Sequence, residues 1–462
     1  MIVVGLIVAI VVIPAAVAGV VVWRGQGRVR ISTLPVMSPP PPLVLATGGD
    51  MLDLCSREVS RYVLQADRFV PAQKAKLLVD GRQTYPEMLG AIEGAKHSVD
   101  FETYILRADE TGVRFQTALA AAARRGVRVR LLYDHFGSLG LSGAFVEFLL
   151  NAGVEVGVYH PLVLTRPRWA VNRRDHRKIL IVDQSITFTG GINISNDYAD
   201  PSEGGAGWRD THVRLDGAEV ARRAEQLFRY GWRQATPYHA TATAGARLKD
   251  RIRRRLKPPP PVRVTSSKMS LLPPEVCRDG RTAVQLVGNR EFRLRRRIRR
   301  HYLHAIRNAQ RYILIENAYF IPDGRFRREL ARAVRRGVQV VVMVASHSDV
   351  PLCAYASRHL YRRLLLRGVR IFEWPGPMMH GKTAVIDDAW SVVGSYNIDH
   401  RSLFHQLECV AVIADPRFAA RLRDQTLADL AQCHELTLAE HDSRPAYRRL
   451  LEPAAYMLRY WL

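Results

Sequence analysis

Short runs of valine, isoleucine and leucine alternate along this chain with longer stretches whose apolar residues recur every three or four positions. The short runs predict strands: VRVRLLYD (127–134), KILIVD (178–183), QVVVMVA (339–345) and TAVID (383–387). The longer stretches predict amphipathic helices. Arg-Gly-Val at 125–127, 336–338 and 367–369 marks a helix stop at glycine followed at once by a strand. Helix–strand alternation of this kind predicts an α/β layered fold with a mixed or largely parallel sheet.

The alternation is written twice. AIEGAKHSVDFETYI (91–105) matches AIRNAQRYILIENAY (305–319), and each block carries a glutamate, Glu102 or Glu316, at the same place. RRGVRVRLLYD (124–134) matches RRGVQVVVMVA (335–345), and LLNAGVEVGVY (149–159) matches LLLRGVRIFEW (364–374). The order is kept, so the expectation is two similar fused α/β domains, each a mixed sheet flanked by helices, and not a solenoid. They are placed at 61–240 and 283–440, with a basic, proline-rich linker at 241–282 between them and a C-terminal tail at 441–462.

Residues 1–23 contain no charged side chain. As a helix they would reach about 35 Å at ~1.5 Å per residue, enough to cross a bilayer. Trp23 and the arginines at 24, 28 and 30 follow. The expectation is an uncleaved single-pass anchor in the cell (inner) membrane, a linker over 24–60, and the remaining chain on the cytoplasmic side.

The formal net charge of +25 predicts a polyanionic neighbour, either anionic lipid head groups or nucleic acid. The run RLRRRIRRHYLHAI (293–306) reads either as a solvated helix face or as a contact for anionic lipid. Five scattered cysteines with no Cys-x-x-Cys pair argue against a structural zinc site and against a disulfide framework.

The last matched pair carries chemistry. HRKILIVD (176–183) and HGKTAVID (380–387) both read H-x-K-x-x-x-x-D. Gly190-Gly191 and Gly394-Ser395 follow at the same distance, and Asn193 and Asn397 stand two residues further on. On a strand, side chains alternate faces, so His176 and Lys178 share a face, as do His380 and Lys382. Asp183 and Asp387 have the opposite parity and read as orienting residues at the strand's far end. A lysine, an asparagine amide, the Ser395 hydroxyl and backbone N–H groups suit a phosphate. Two histidines facing one phosphate can divide the work. One, neutral, attacks phosphorus; the other, protonated, serves the leaving alcohol. Acidic neighbours must bias their protonation, and Asp210 and Glu408 occupy comparable places after each motif. This chemistry needs no metal and no cofactor.

These residues resemble the phospholipase D superfamily, and within it the bacterial cardiolipin synthases. The likeness covers DGRQTYPEMLGAI, ETYILRADETG, NRRDHRKILIVD, TGGINISNDY, WRDTHVRLDG, ENAYFIPD and HGKTAVIDDAWSVVGSYNIDHRS, from about residue 76 to about 435. It implies two similar α/β domains with the site in the cleft between them. It implies catalytic roles for His176, Lys178, Asp183, His380, Lys382 and Asp387, with Asn193 and Asn397 on the phosphate. Phosphatidylglycerol would be both donor and acceptor, with glycerol leaving, and His176 is favoured as nucleophile. The chain departs from the family pattern in having one N-terminal apolar segment where two are frequent. It also has Asp175 and Gln406 where asparagine is more usual. A phospholipase D-type hydrolase or nuclease is the alternative, and a non-catalytic lipid binder ranks third. The apolar N-terminus and the aromatic tail AAYMLRYWL favour lipid over nucleic acid.

Overall fold

The computed structural model describes residues 57–161, 172–238, 271–273, 276, 280–289 and 295–462. The apolar segment 1–23 and most of the two linkers lie outside these residues. Among the described residues, no helix is long and apolar enough to cross a membrane.

Two large mixed sheets, flanked by helices, organise the chain. The first runs in the order Lys74–Val79, Thr211–Asp216, Ile186–Gly190, Ile179–Val182, Ser98–Thr103, Arg128–Asp134, Glu155–Tyr159, Thr236–Pro237. The second runs Val70–Ala72, Thr282–Gly288, Cys409–Ala414, Trp390–Gly394, Lys382–Ile386, Tyr312–Asn317, Gln339–Ala345, Arg370–Trp374, His434–Glu435. Apart from the extra strand Val70–Ala72, the two orders correspond strand for strand. In each, three strands run parallel, the second and third entered through Arg-Gly-Val-type connections, and the motif strand joins them antiparallel.

The H-x-K-x4-D spacing is explained by this fold. A four-residue strand, Ile179–Val182, about 13 Å long at ~3.3 Å per residue, lies between Lys178 and Asp183. Asp183 and Gln184 then take left-handed backbone angles (φ 49° and 50°), as do Asp387 and Asp388 (53° and 55°). That is the pattern of a tight hairpin turn, and aspartate tolerates it better than branched residues do. The Asp183 carboxylate accepts the N–H groups of Lys96, His97 and Ser98 at 2.7–2.9 Å. Asp387 accepts those of Gln310, Arg311 and Tyr312 at 2.6–2.9 Å. Each aspartate therefore ties the motif hairpin to the start of the neighbouring central strand.

The two sheets share their core. Val213 and Leu215 of the first pack with Leu314, Val393, Ala411 and Ile413 of the second. Ile179 and Ile181 pack with Leu407 and Cys409. The chain also crosses over: Val59, Tyr62, Val63 and Phe69 lie in the core of the second sheet, and Val70–Ala72 extends that sheet. The Tyr62 hydroxyl donates to Asp387 at 2.7 Å. Only from Lys74 does the chain enter the first sheet.

Candidate active site

Two short parallel pairings carry the histidines. Arg174–Asp175 pairs with Gln406–Leu407, and the His176 N–H donates to the Leu407 carbonyl at 3.0 Å. Arg209 pairs with Met379, and the His380 N–H donates to the Arg209 carbonyl at 2.7 Å. In each case the next residue of the holding strand is acidic: Glu408 follows Leu407, and Asp210 follows Arg209. The carboxylates are thus delivered across the halves. Nδ1 of His176 lies 3.1 Å from both Glu408 carboxyl oxygens, and Nδ1 of His380 lies 2.8 Å from Asp210 Oδ2. The sequence paired each acid with no particular histidine; the structure crosses them.

The two histidines have different second neighbours. Nδ1 of His176 also lies 3.1 Å from the Ser395 carbonyl, which can only accept. That ring nitrogen therefore carries the proton, and Nε2 keeps its lone pair. Nδ1 of His380 instead lies 3.1 Å from the Tyr198 hydroxyl, to which the Asn193 amide donates at 2.8 Å. A hydroxyl can give or take, so the proton near His380 has more freedom. Position 191 differs accordingly. A Cβ on Gly191 would stand 2.1 Å from Asp210 Oδ1, so glycine makes room for the shorter acid. At the matched position, the Ser395 hydroxyl donates to Glu408.

Burial dominates the electrostatics. Both imidazoles are held well below the usual histidine range, first by burial and then by the lysines. Burial lowers Lys178 to about 7 and Lys382 to about 8, against the opposing pull of Glu408 and Asp210. Burial raises Asp210 to about 6 and Glu408 to about 8, with Lys382 and Lys178 respectively pulling the other way. Each lysine Nζ also donates to the carbonyl of its own motif histidine, Lys178 at 2.7 Å. The result is a pocket in which two buried lysines would be returned toward their charged forms by an anion.

Behind the motifs lie buried ion pairs. The residue between His176 and Lys178 is Arg177, which donates to Glu102 at 2.6 Å and to Asp175 at 2.8 and 2.9 Å. This explains Asp175 in place of asparagine: it neutralises an arginine that is 99% buried. In the second half the middle residue is Gly381, whose Cβ would strike Glu316 at 2.2 Å. There Arg209, reaching over from the first half, bears on Glu316 and pairs with Asp429 at 2.6 Å. Glu102 and Glu316 are therefore buried supports beneath the motifs.

The remaining expected residues are placed as follows. Asp183 and Asp387 sit in the turns described above and not with the histidines. Asn193 is occupied by Tyr198 and by the Ile105 N–H at 3.2 Å. Asn397 is buried with its Oδ1 unpartnered. Aromatic side chains that motif reasoning missed line both sides. Tyr104 meets the His176 ring at 4.8 Å, and Tyr198, Trp208 and Tyr319 surround His380 at 5.6–6.2 Å. A signal existed: Tyr104 and Tyr319 both follow the matched glutamate strands.

The family model described as cardiolipin synthase, phospholipase D-like domain, matches residues 88–232 and 302–429. The chain belongs to this family. It is 35% identical over 370 residues to cardiolipin synthase B of Shigella flexneri, covering 79% of this chain and 83% of that protein. It is 30% identical over 387 residues to cardiolipin synthase of Geobacillus kaustophilus, covering 84% and 72%. The crystal structure of a phosphatidylserine synthase from Haemophilus influenzae superposes with a TM-score of 0.67 at 14% identity, over 88% of this chain and 99% of that one. That likeness is one of fold.

Proposed function

We propose that this enzyme, a phosphatidyltransferase of the cardiolipin synthase family, joins two phosphatidylglycerol molecules to give cardiolipin and glycerol through a phosphohistidine. The observation that carries the proposal is the crossed pairing of two histidines with two carboxylates around two buried lysines. His176, with its proton fixed on Nδ1, presents the Nε2 lone pair to phosphorus. The N–P bond forms as the P–O bond to the departing glycerol breaks. The bound phosphodiester anion, with Asp210, raises His380 into its protonated form, and the His380 Nε2–H gives that oxygen its proton. The terminal hydroxyl of a second phosphatidylglycerol then loses its proton to His380 and attacks phosphorus. Cardiolipin leaves and His176 is restored. Lys178 and Lys382 hold the anionic phosphodiester, whose charge raises both lysines back toward the protonated state.

Anionic lipid is also the partner that the +25 charge suits, and the membrane is the place where such a substrate resides. Purified protein in detergent–lipid micelles, given radiolabelled phosphatidylglycerol, tests this. Labelled cardiolipin with release of glycerol, both lost in His176→Ala and His380→Ala, is the expected result. Phosphatidic acid without cardiolipin would make the enzyme a hydrolase. No turnover of lipid, with cleavage of single-stranded DNA, would move it to the nuclease branch of the superfamily.

A further inference from the structure

The helix Ala446–Met457 is inside out. At 100° per residue, Tyr447, Leu450, Leu451, Ala454 and Met457 share one face. That apolar face points away from the protein, with Leu450 77% exposed. The polar side points inward: Glu452 is buried and pairs with Arg444 at 2.8 Å. Tyr456 holds the same side down, stacking on His359 at 4.8 Å and accepting from Arg327 at 3.1 Å. Soluble helices bury the face that this one shows.

What surrounds the face is basic and aromatic. Arg448 and Arg449 are exposed in the first turn of the same helix. Arg459 lies over the rings of Tyr456 and Tyr460 at 4.6 and 4.9 Å, and Trp461 is 66% exposed. Tyr460 continues the patch toward the active site, meeting His400 at 4.9 Å and Phe404 at 6.4 Å. Arg295 and Arg296, from the basic run noted in the sequence, cover Phe404 at 5.0 and 5.7 Å. Phe404 ends the short helix that leads into Gln406–Leu407, the strand that holds His176.

We propose that Ala446–Met457 with Tyr460 and Trp461 docks on an anionic bilayer surface, setting Phe404 and the short helix that leads to the His176 pairing near the head groups. Apolar side chains enter the acyl boundary, aromatic rings sit at the interface, and the arginine fringe meets lipid phosphates. A second copy of the chain is a poor occupant, because it would bring the two arginine fringes together. The proposal rests on the lipid reading of the site, so its test needs a readout independent of turnover.

The full chain in vesicles of phosphatidylglycerol with brominated acyl chains supplies one. Subtracting the emission of Trp461→Phe from that of the unmodified protein isolates Trp461. The isolated emission is expected to fall by about half or more when the acyl chains are brominated, as an indole at the interface would. No quenching overturns the proposal, whatever the enzyme's substrate. Leu450→Glu/Leu451→Glu/Trp461→Glu, all at exposed positions, is expected to lower turnover of vesicle phosphatidylglycerol by about tenfold. Turnover of short-chain phosphatidylglycerol below its critical micelle concentration should stay within about twofold. An equal loss on both substrates would show a structural role and overturn the docking. A halving of molecular mass in the triple variant would assign the face to a second copy, with the same consequence. If the unmodified protein turns over neither lipid while Trp461 is quenched, the active-site reading fails and the surface stands.

Discussion

His176 and His380 occupy equivalent places on two matching sheets, yet their surroundings differ in one chemical respect. His176 is clamped at Nδ1 between the longer acid, Glu408, and a backbone carbonyl that can only accept, which keeps the ring proton on Nδ1. His380 is held by the shorter acid, Asp210, and by a hydroxyl that can turn either way. The backbone frame is duplicated and the proton inventory is not. A repeat can therefore keep its geometry while its two copies take different jobs, by changing the groups one shell outside the reacting atoms.

The largest test of that difference separates the histidines by intermediate. Both alanine variants should lose roughly a thousandfold or more in cardiolipin formation. With a phosphodiester whose leaving group needs no proton, such as a p-nitrophenyl ester, His380→Ala should still form a covalent phosphoryl adduct and His176→Ala none. Acid-labile label on the protein reads this out, and the reverse pattern would exchange the roles.

The acids come next. Asp210→Asn and Glu408→Gln should each cost about a hundredfold or more in kcat, since each removes the group that orients an imidazole. Asp210→Asn should also remove an acid limb near pH 6, where Asp210 gains its proton and ceases to support His380, whereas Glu408→Gln should remove one near pH 8, where Glu408 does the same beside His176. A profile of kcat against pH for both variants decides it.

The lysines set the opposite limb. Each is a cation only below its own value, about 7 for Lys178 and about 8 for Lys382 in the free enzyme. Rising pH therefore removes charge that attracts the phosphodiester, and kcat/KM should fall by about tenfold per pH unit from about 7 and by up to about a hundredfold per unit above 8. Lys382→Arg keeps its charge throughout and should flatten part of that limb, even if the maximum is lower.

Smallest in rate is Tyr198→Phe, which deletes the hydroxyl beside His380. About a three- to tenfold loss in kcat is expected, larger for glycerol-type leaving groups than for p-nitrophenolate. An equal loss with both leaving groups would make Tyr198 a packing residue. Ser402, at the matched place in the second half, should show no such dependence on the leaving group when changed to alanine.

Much of this was legible in the chain. The doubled blocks carried the α/β alternation, and strand parity separated Asp183 and Asp387 from the lysines five residues before them. Parity works because it is local. The crossing of the carboxylates is not local: Asp210 and Glu408 stand at comparable places in each half, and only the packing of Arg174–Asp175 on Gln406–Leu407 and of Met379 on Arg209 says which acid meets which histidine. The two supports differ for a similar reason. Arg177 serves Glu102 from within its own motif, whereas Gly381 leaves Glu316 to an arginine from the other half. The run 57–72 was equally opaque, because nothing in its composition announces that it belongs with a sheet whose other strands begin beyond residue 280.

That last arrangement has a mechanical consequence. A stretch encoded ahead of the first sheet is stitched into the second, like a dovetail cut from the opposite board. Severing the chain anywhere between residues 240 and 280 would leave the N-terminal fragment still gripping its neighbour through Val70–Ala72 and Tyr62. The joint belongs to the folded object and not to the peptide thread, so the two pieces would have to unfold before they could part.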